Sequence, residues 1–153
     1  MKLQLLAVGR LRKGPERDLV DDYLERFAKT GRGLGLPPVT VTEVEAKGGT
    51  AAEAEALARA ALHGATLVVL DERGRSLGSV DFADRLGAWR DEARDVSLVI
   101  GGADGLADAL RDRADLAISF GAMVWPHMLV RVMLAEQLYR AASILAGTPY
   151  HRA

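Results

Sequence analysis

The sequence predicts an α/β fold: a mostly parallel sheet flanked by helices, in one domain spanning residues 1–153. Short apolar runs alternate with helical patterns of roughly ten to fifteen residues, the signature of a sheet wound from strand–helix–strand units. Two of those runs, Leu67–Leu70 and Val96–Ile100, are apolar almost throughout. Strands covered on both faces read that way, and they belong to parallel sheets. The chain has 153 residues, 49% hydrophobic and 27% charged. That is enough for one sizeable core, and no repeat or linker divides it.

The elements follow in order. Leu3 to Val8 reads as a strand closed by Gly9. Pro15 suits the first turn of a helix running to about Ala28, in which Leu19, Val20, Tyr23, Leu24 and Phe27 recur at helical spacing. Thr30 to Pro38, rich in Gly and Pro, is expected to be a loop. Val39 to Val44 alternates like a half-exposed strand. Thr50 and Glu53 have the spacing of a capping box, opening an alanine-rich helix that ends before Gly64. After the Leu67–Leu70 strand, Asp71 to Gly78 is expected to be a polar loop, with Ser79 capping a helix to about Glu92. The Val96–Ile100 strand runs into Gly101-Gly-Ala-Asp-Gly105. A short helix follows, with Leu106, Ala109 and Leu110 on one face. Leu116 to Ser119 is another short strand, and Pro126 starts a long helix to about Ala146.

In such a sheet, ligands bind beyond the carboxyl ends of the strands. Three segments are expected at that edge: the loop after Leu70, the Gly101–Gly105 turn and Phe120–Trp125. The glycine turn allows close backbone approach to a ligand. It is not a dinucleotide fingerprint, because Gly-Gly-x-x-Gly has the wrong spacing and follows a late strand. No phosphate-loop Gly-Lys-Ser/Thr is present.

Composition excludes other classes. There is no cysteine, so disulfides, thiol catalysis and thiolate metal sites are ruled out. No two of His63, His127 and His151 have metal-ligand spacing, and no metal is expected. His63 reads as a helix-end residue. No stretch approaches the roughly 18 apolar residues of a membrane span, and the start of the chain reads as a strand, not a signal peptide. The expectation is a soluble cytoplasmic protein with no membrane partner. Net charge is −1, but its distribution is uneven: residues 1–32 carry +3, residues 33–122 carry −6 and residues 123–153 carry +2. A footprint for RNA built from the two termini would be hidden in that total. With 5% aromatic residues, such contacts would be mostly arginine to phosphate, not base stacking.

The last thirty residues are the most distinctive. The helix after Pro126 is apolar on nearly every face, as in a helix covered from several sides, some of it by a second copy. Glu136 and Arg140 are four apart and can pair. Arg131 and Tyr139 need partners. The tail, Thr148-Pro-Tyr-His-Arg152-Ala153, has no evident packing role; it is either a frayed end or a functional one.

At these residues the chain resembles the bacterial large-subunit ribosomal RNA pseudouridine N3-methyltransferases, a group within the SPOUT class of knotted methyltransferases. The resemblance rests on Met1-Lys-Leu-Gln-Leu-Leu-Ala-Val-Gly9, Tyr23-Leu-Glu-Arg-Phe27, Leu70-Asp71 and Arg94-Asp-Val-Ser-Leu-Val-Ile-Gly-Gly102. It continues through Pro126-His127, Leu129-Val-Arg-Val132, Glu136-Gln-Leu-Tyr-Arg140 and Pro149-Tyr-His-Arg152. It implies a C-terminal segment threaded into a deep trefoil knot, an exception to the rule that chains are unknotted. It implies a homodimer packed through the knot helices, and S-adenosylmethionine bound by Leu70, Gly101, Gly102, Gly121, Ala122, Met123, Val124, Trp125 and Pro126. The implied partner is 23S rRNA in the 50S subunit or the 70S ribosome, methylated at N3 of a pseudouridine. The implied catalytic set is Glu136, Arg140, Tyr150, His151 and Arg152, with the tail lent by one subunit to the other, and with His127. His151 and Arg152 would hold the base or its phosphates, Arg140 oriented by Glu136 would stabilise negative charge, and His127 or His151 would be the base. Other readings are a SPOUT methyltransferase with a different RNA target, or a ribosome-binding module without catalysis.

Overall fold

The computed structural model describes residues 1–152. Its five strands are β1 (Leu3–Val8), β2 (Val39–Val44), β3 (Thr66–Ser76), β4 (Val96–Ile100) and β5 (Leu116–Ser119). The helices are α1 (Pro15–Arg32), α2 (Gly49–Ala60), α3 (Ser79–Asp91), α4 (Asp108–Arg113) and α5 (His127–Ala146). The strands form one sheet in the order β2-β1-β4-β3-β5, and every adjacent pair is parallel.

Alternation along the central strands builds two cores. Leu3, Leu5, Val68, Leu98 and Ile100 pack with Phe27 of α1, Phe82 and Leu86 of α3, and Leu134 and Leu138 of α5. Leu6, Val8, Val69 and Val99 point the other way, onto Leu57 of α2 and onto Leu106 and Leu110 beside α4. Strands β1 and β4 are buried at every position. Burying an aliphatic side chain contributes about 1.5–3 kcal/mol relative to leaving it exposed, so these runs drive the layering. Among the described residues, no helix is long and apolar enough to cross a membrane.

The structure differs from the sequence expectation at five places. Helix α1 continues past Ala28 to Arg32. Gly31 is buried, and a Cβ there would lie 3.1 Å from that of Leu36; its carbonyl accepts both Leu34 and Leu36 N–H groups. Strand β3 does not stop at Leu70. Ile118 of β5 is opposite Leu70 and again opposite Arg75, so residues 71–74 bulge out and the strand rejoins the ladder. Gly74 permits this return: a Cβ would lie 2.6 Å from the Ala117 carbonyl carbon. Neither expected cap forms. Helix α2 begins at Gly49, so Thr50 already lies inside its first turn. Ser79 is the first residue of α3, and its hydroxyl donates to Gln137 Oε1 at 2.8 Å, tying α3 to α5. Of the face expected for the short helix, Leu106 lies just before α4 and is buried with Leu110, whereas Ala109 is exposed.

Candidate functional site

Because all five strands are parallel, their carboxyl ends share one edge. There the bulge after Leu70, the turn from Gly101 to Leu106, and the segment from Phe120 to His127 enclose a cleft of about 890 Å³. A second cavity of about 330 Å³ shares Leu70, Ile118, Phe120 and Gly121 with it. Backbone forms much of the wall. A Cβ on Gly101 would lie 2.7 Å from the Gly105 carbonyl oxygen, and one on Gly102 would lie 2.9 Å from Glu53 Oε2. Gly102 and Gly105 form an isolated bridge that closes the turn. Gly121 adopts φ 115°, where a side chain is strained. The Ser119 hydroxyl accepts the Gly121 N–H at 3.0 Å and fixes this corner.

Of the residues implied for the cofactor, Leu70, Gly101, Gly102, Gly121, Met123, Val124, Trp125 and Pro126 line the cleft. Ala122 is exposed and is not among the lining residues. Phe120 was missing from that set, yet it lines both cavities; its place directly after a buried strand was the available signal. Met123, Val124 and Trp125 are 75%, 84% and 42% exposed, an apolar lip on the cleft. Across the mouth, Arg73 binds Asp71 through two hydrogen bonds of 3.0 Å and reaches Asp108 at 3.0 Å. The Arg73 guanidinium holds the Asp71 carboxyl below the usual carboxylate range, against the upward push of burial.

His127, at the first turn of α5, also lines the cleft, and its Nδ1 is buried without a partner. One turn on, Arg131 is 1% exposed. It donates to Glu43 Oε2 at 2.5 Å and to the Gly9 carbonyl at 3.0 Å. Glu43 also accepts the Leu11 N–H at 2.6 Å. Burial pushes the Glu43 carboxyl up, but Leu11 and Arg131 together outweigh it and hold it below the ordinary value. The sequence reading missed this pair. Its signals were a lone arginine in an apolar helix and an acid inside an otherwise Val/Thr strand.

The remaining candidates gather at the other end of α5. Glu136 Oε1 accepts from Arg140 Nε at 2.8 Å and from the Tyr150 hydroxyl at 3.0 Å. Arg140 lies 3.1 Å from His151 Nδ1 and 4.8 Å from the centre of the Tyr150 ring. The Tyr150 and Tyr139 rings pack at 4.5 Å. Burial, then the bond to Glu136, pushes the Tyr150 phenol up to about 12. Arg152 is exposed. The tail is therefore docked on its own helix, not frayed. At 1.5 Å per residue, Glu136 and Arg140 stand about 13–20 Å along α5 from His127. One chain does not bring its tail cluster and its cleft together.

A parallel sheet whose strand ends enclose a glycine-walled cleft defines an α/β ligand-binding enzyme domain. Comparison with known proteins narrows the class. Residues 1–151 match the family model described as predicted SPOUT methyltransferase. Proteins named ribosomal RNA large subunit methyltransferase H are 73% identical in Cereibacter sphaeroides and 68% identical in Paracoccus denitrificans, each match covering 99% of both chains. The solved structure of a probable methyltransferase from Bordetella pertussis Tohama I shares the fold, with a TM-score of 0.52 and 18% identity over 92% of this chain and 96% of that one. The chain belongs to the SPOUT methyltransferase family.

Proposed function

We propose that this methyltransferase uses S-adenosylmethionine to methylate N3 of a pseudouridine in 23S rRNA, in the cytoplasm, as a homodimer acting on the assembled large subunit or whole ribosome. The observation that carries this reading is the match, at 73% identity over 99% of both chains, to a protein named for large-subunit ribosomal RNA methylation. Such a pair shares a site chemistry far more readily than a fold alone does.

The cleft fits the methyl donor. Its glycine walls leave backbone N–H and C=O groups within reach of an adenine edge, and Leu70, Ile118 and Phe120 give it an apolar floor. Asp71, Glu72, Asp104 and Asp108 outnumber Arg73 around the cleft, and that acidic excess suits a cationic ligand. When bound, S-adenosylmethionine supplies an electrophilic methyl group. The protein's own contribution is alignment and charge. N3 of the base carries a proton that must leave as the nitrogen attacks. His151 can accept it once its Nδ1, which here accepts an Arg140 N–H, is released by that guanidinium; Arg140, with Glu136 and Tyr150 beside it, is then free to stabilise the anion that remains. His127, from the cleft side, is the other candidate acceptor.

A second copy supplies what one chain separates. The lip of Met123, Val124 and Trp125, with the 39% exposed Leu129, is an apolar surface suited to burial against a partner. Packed there, the partner's tail cluster can face the cleft. The threaded knot implied by the resemblance belongs to the same proposal. Mass spectrometry of ribosomal RNA from a strain lacking the gene tests the reading. One pseudouridine should lose a methyl group; an unchanged set of modifications overturns it. Calorimetry with S-adenosylmethionine separates it from a ribosome-binding module, which would give no binding heat.

A further inference from the structure

The loop between β1 and α1 carries Arg10, Arg12 and Lys13 within four residues, all exposed. Other basic side chains near it are neutralised. On α1, Arg17 faces Asp21, Arg26 faces Asp22, and Lys29 faces Glu25. Arg10, Arg12 and Lys13 form no ion pair among the described residues. Glu43 feels the charge of Arg10, but it forms no ion pair with it and is engaged by Arg131 and the Leu11 N–H.

The loop is also held rigidly. Arg131 grips the Gly9 carbonyl from below, and Glu43 grips the Leu11 N–H. Arg10 lies between those two bonds, and Arg12 and Lys13 follow directly after the second. Its position follows from topology. Strand β1 is parallel to β4 and adjacent to it, so the loop leaves the sheet at the same edge as the Gly101 turn. A Cβ on Gly9 would lie 4.0 Å from His127 Cε1 and 3.8 Å from Met128 Cε. The loop thus abuts the first turn of α5, which also walls the cleft.

We propose that the Gly9–Gly14 loop is an RNA-docking surface, in which Arg10, Arg12 and Lys13 contact backbone phosphates flanking the target nucleotide, and the pair formed by buried Arg131 and Glu43 sets the loop's position beside the cleft. Three unpaired cations on a preformed turn recognise a polyanion by its charge and spacing, not by base identity. The overall charge of −1 is no obstacle, since the local field decides the approach. The proposal rests on the rRNA reading above.

The test compares two variants with the wild-type enzyme on 70S ribosomes from a strain lacking the gene. In Arg10→Ala/Arg12→Ala/Lys13→Ala, the backbone bonds of the loop remain possible. In the control, Arg17→Ala/Lys29→Ala, two paired cations are removed. The loop variant should raise KM for ribosomes at least tenfold, with kcat and the calorimetric Kd for S-adenosylmethionine unchanged. Its log–log salt slope should fall by about 2–3, roughly one per lost phosphate contact. The control should behave as wild type. Equal effects of both variants overturn the proposal in favour of general surface charge. An unchanged KM in the loop variant overturns it outright, and so does a loss of dimer in sedimentation, which would assign the loop to a second copy. If the wild-type enzyme itself transfers no methyl group to the ribosome, the rRNA reading has failed, which is a different result from any of these.

Discussion

The two ends of α5 are built in opposite ways. At its start, the cleft is walled largely by backbone, with glycines at 101, 102 and 121 and a bulge after Leu70, and charged side chains stand around it. At its end, the tail cluster is made from side chains: Glu136, Arg140, Tyr150 and His151 joined by hydrogen bonds of 2.8–3.1 Å. A backbone site tolerates sequence change but no added atoms. A side-chain site tolerates small shape changes but no lost partner. The first suits holding a cofactor by its shape, and the second suits charge and proton handling. The span of α5 keeps them apart within one chain, so the proposed function needs a second copy to unite them.

Changes at the two ends should separate cleanly. Gly101→Val gives the largest effect, because its Cβ meets the Gly105 backbone at 2.7 Å. Overpacking of about 2–3 kcal/mol should lower Tm by ~5–10 °C, and calorimetry should show S-adenosylmethionine affinity reduced at least a hundredfold. Retained affinity would mean that the glycine wall is not where the cofactor lies. His151→Ala should reduce kcat by about 10²–10³-fold while Kd for the cofactor and the dimer remain as in wild type. Unchanged turnover would remove the tail from the chemistry.

Smaller effects sharpen the contrast. Glu43 is held below its ordinary value of 4.5 in the fold. Its stabilising contribution is therefore complete above that value and lost as pH falls through the folded-state pKa. Glu43→Gln should lower Tm by a few degrees at pH 7, with the gap to wild type narrowing as pH falls below that ordinary value. A gap that widens in acid contradicts the pairing with Arg131. Arg73→Ala opens the link between Asp71 and Asp108. Because Arg73 is exposed, the cofactor Kd should change by no more than about fivefold.

The sequence and the structure agree where one local signal decides an element. Leu3–Val8, Val39–Val44, Val96–Ile100 and Leu116–Ser119 are apolar or alternating runs, the first three ended directly by glycine or charge, and all four are strands with those bounds. The edge chosen for the site was also legible, because parallel strands share a carboxyl end. Disagreement arises where distant partners decide. Glu72-Arg73-Gly74-Arg75 has no strand pattern, and only pairing with β5 draws it back into the sheet. Thr50 and Ser79 had cap spacing, but glycines at 48 and 78 start those helices instead. Arg131 looked like an orphan until Glu43 arrived 88 residues away in sequence. The tail's docking onto Glu136 depends on α5 existing first, and no local periodicity reports it.

Complementation between two defective subunits tests the composite site most directly. Gly121→Val strains the cleft corner, where φ is 115°, and a melting curve of its dimer checks that the rest of the subunit still folds. That variant leaves its own tail intact, whereas His151→Ala leaves its own cleft intact. Each homodimer alone should be nearly inactive. After equal mixing and exchange, half of the dimers are mixed, and each holds one site with a sound cleft and a sound partner tail. Recovered activity should then approach about a quarter of the wild-type value per subunit. Mixed dimers, verified by tagged purification, that stay inactive would contradict a site shared between subunits.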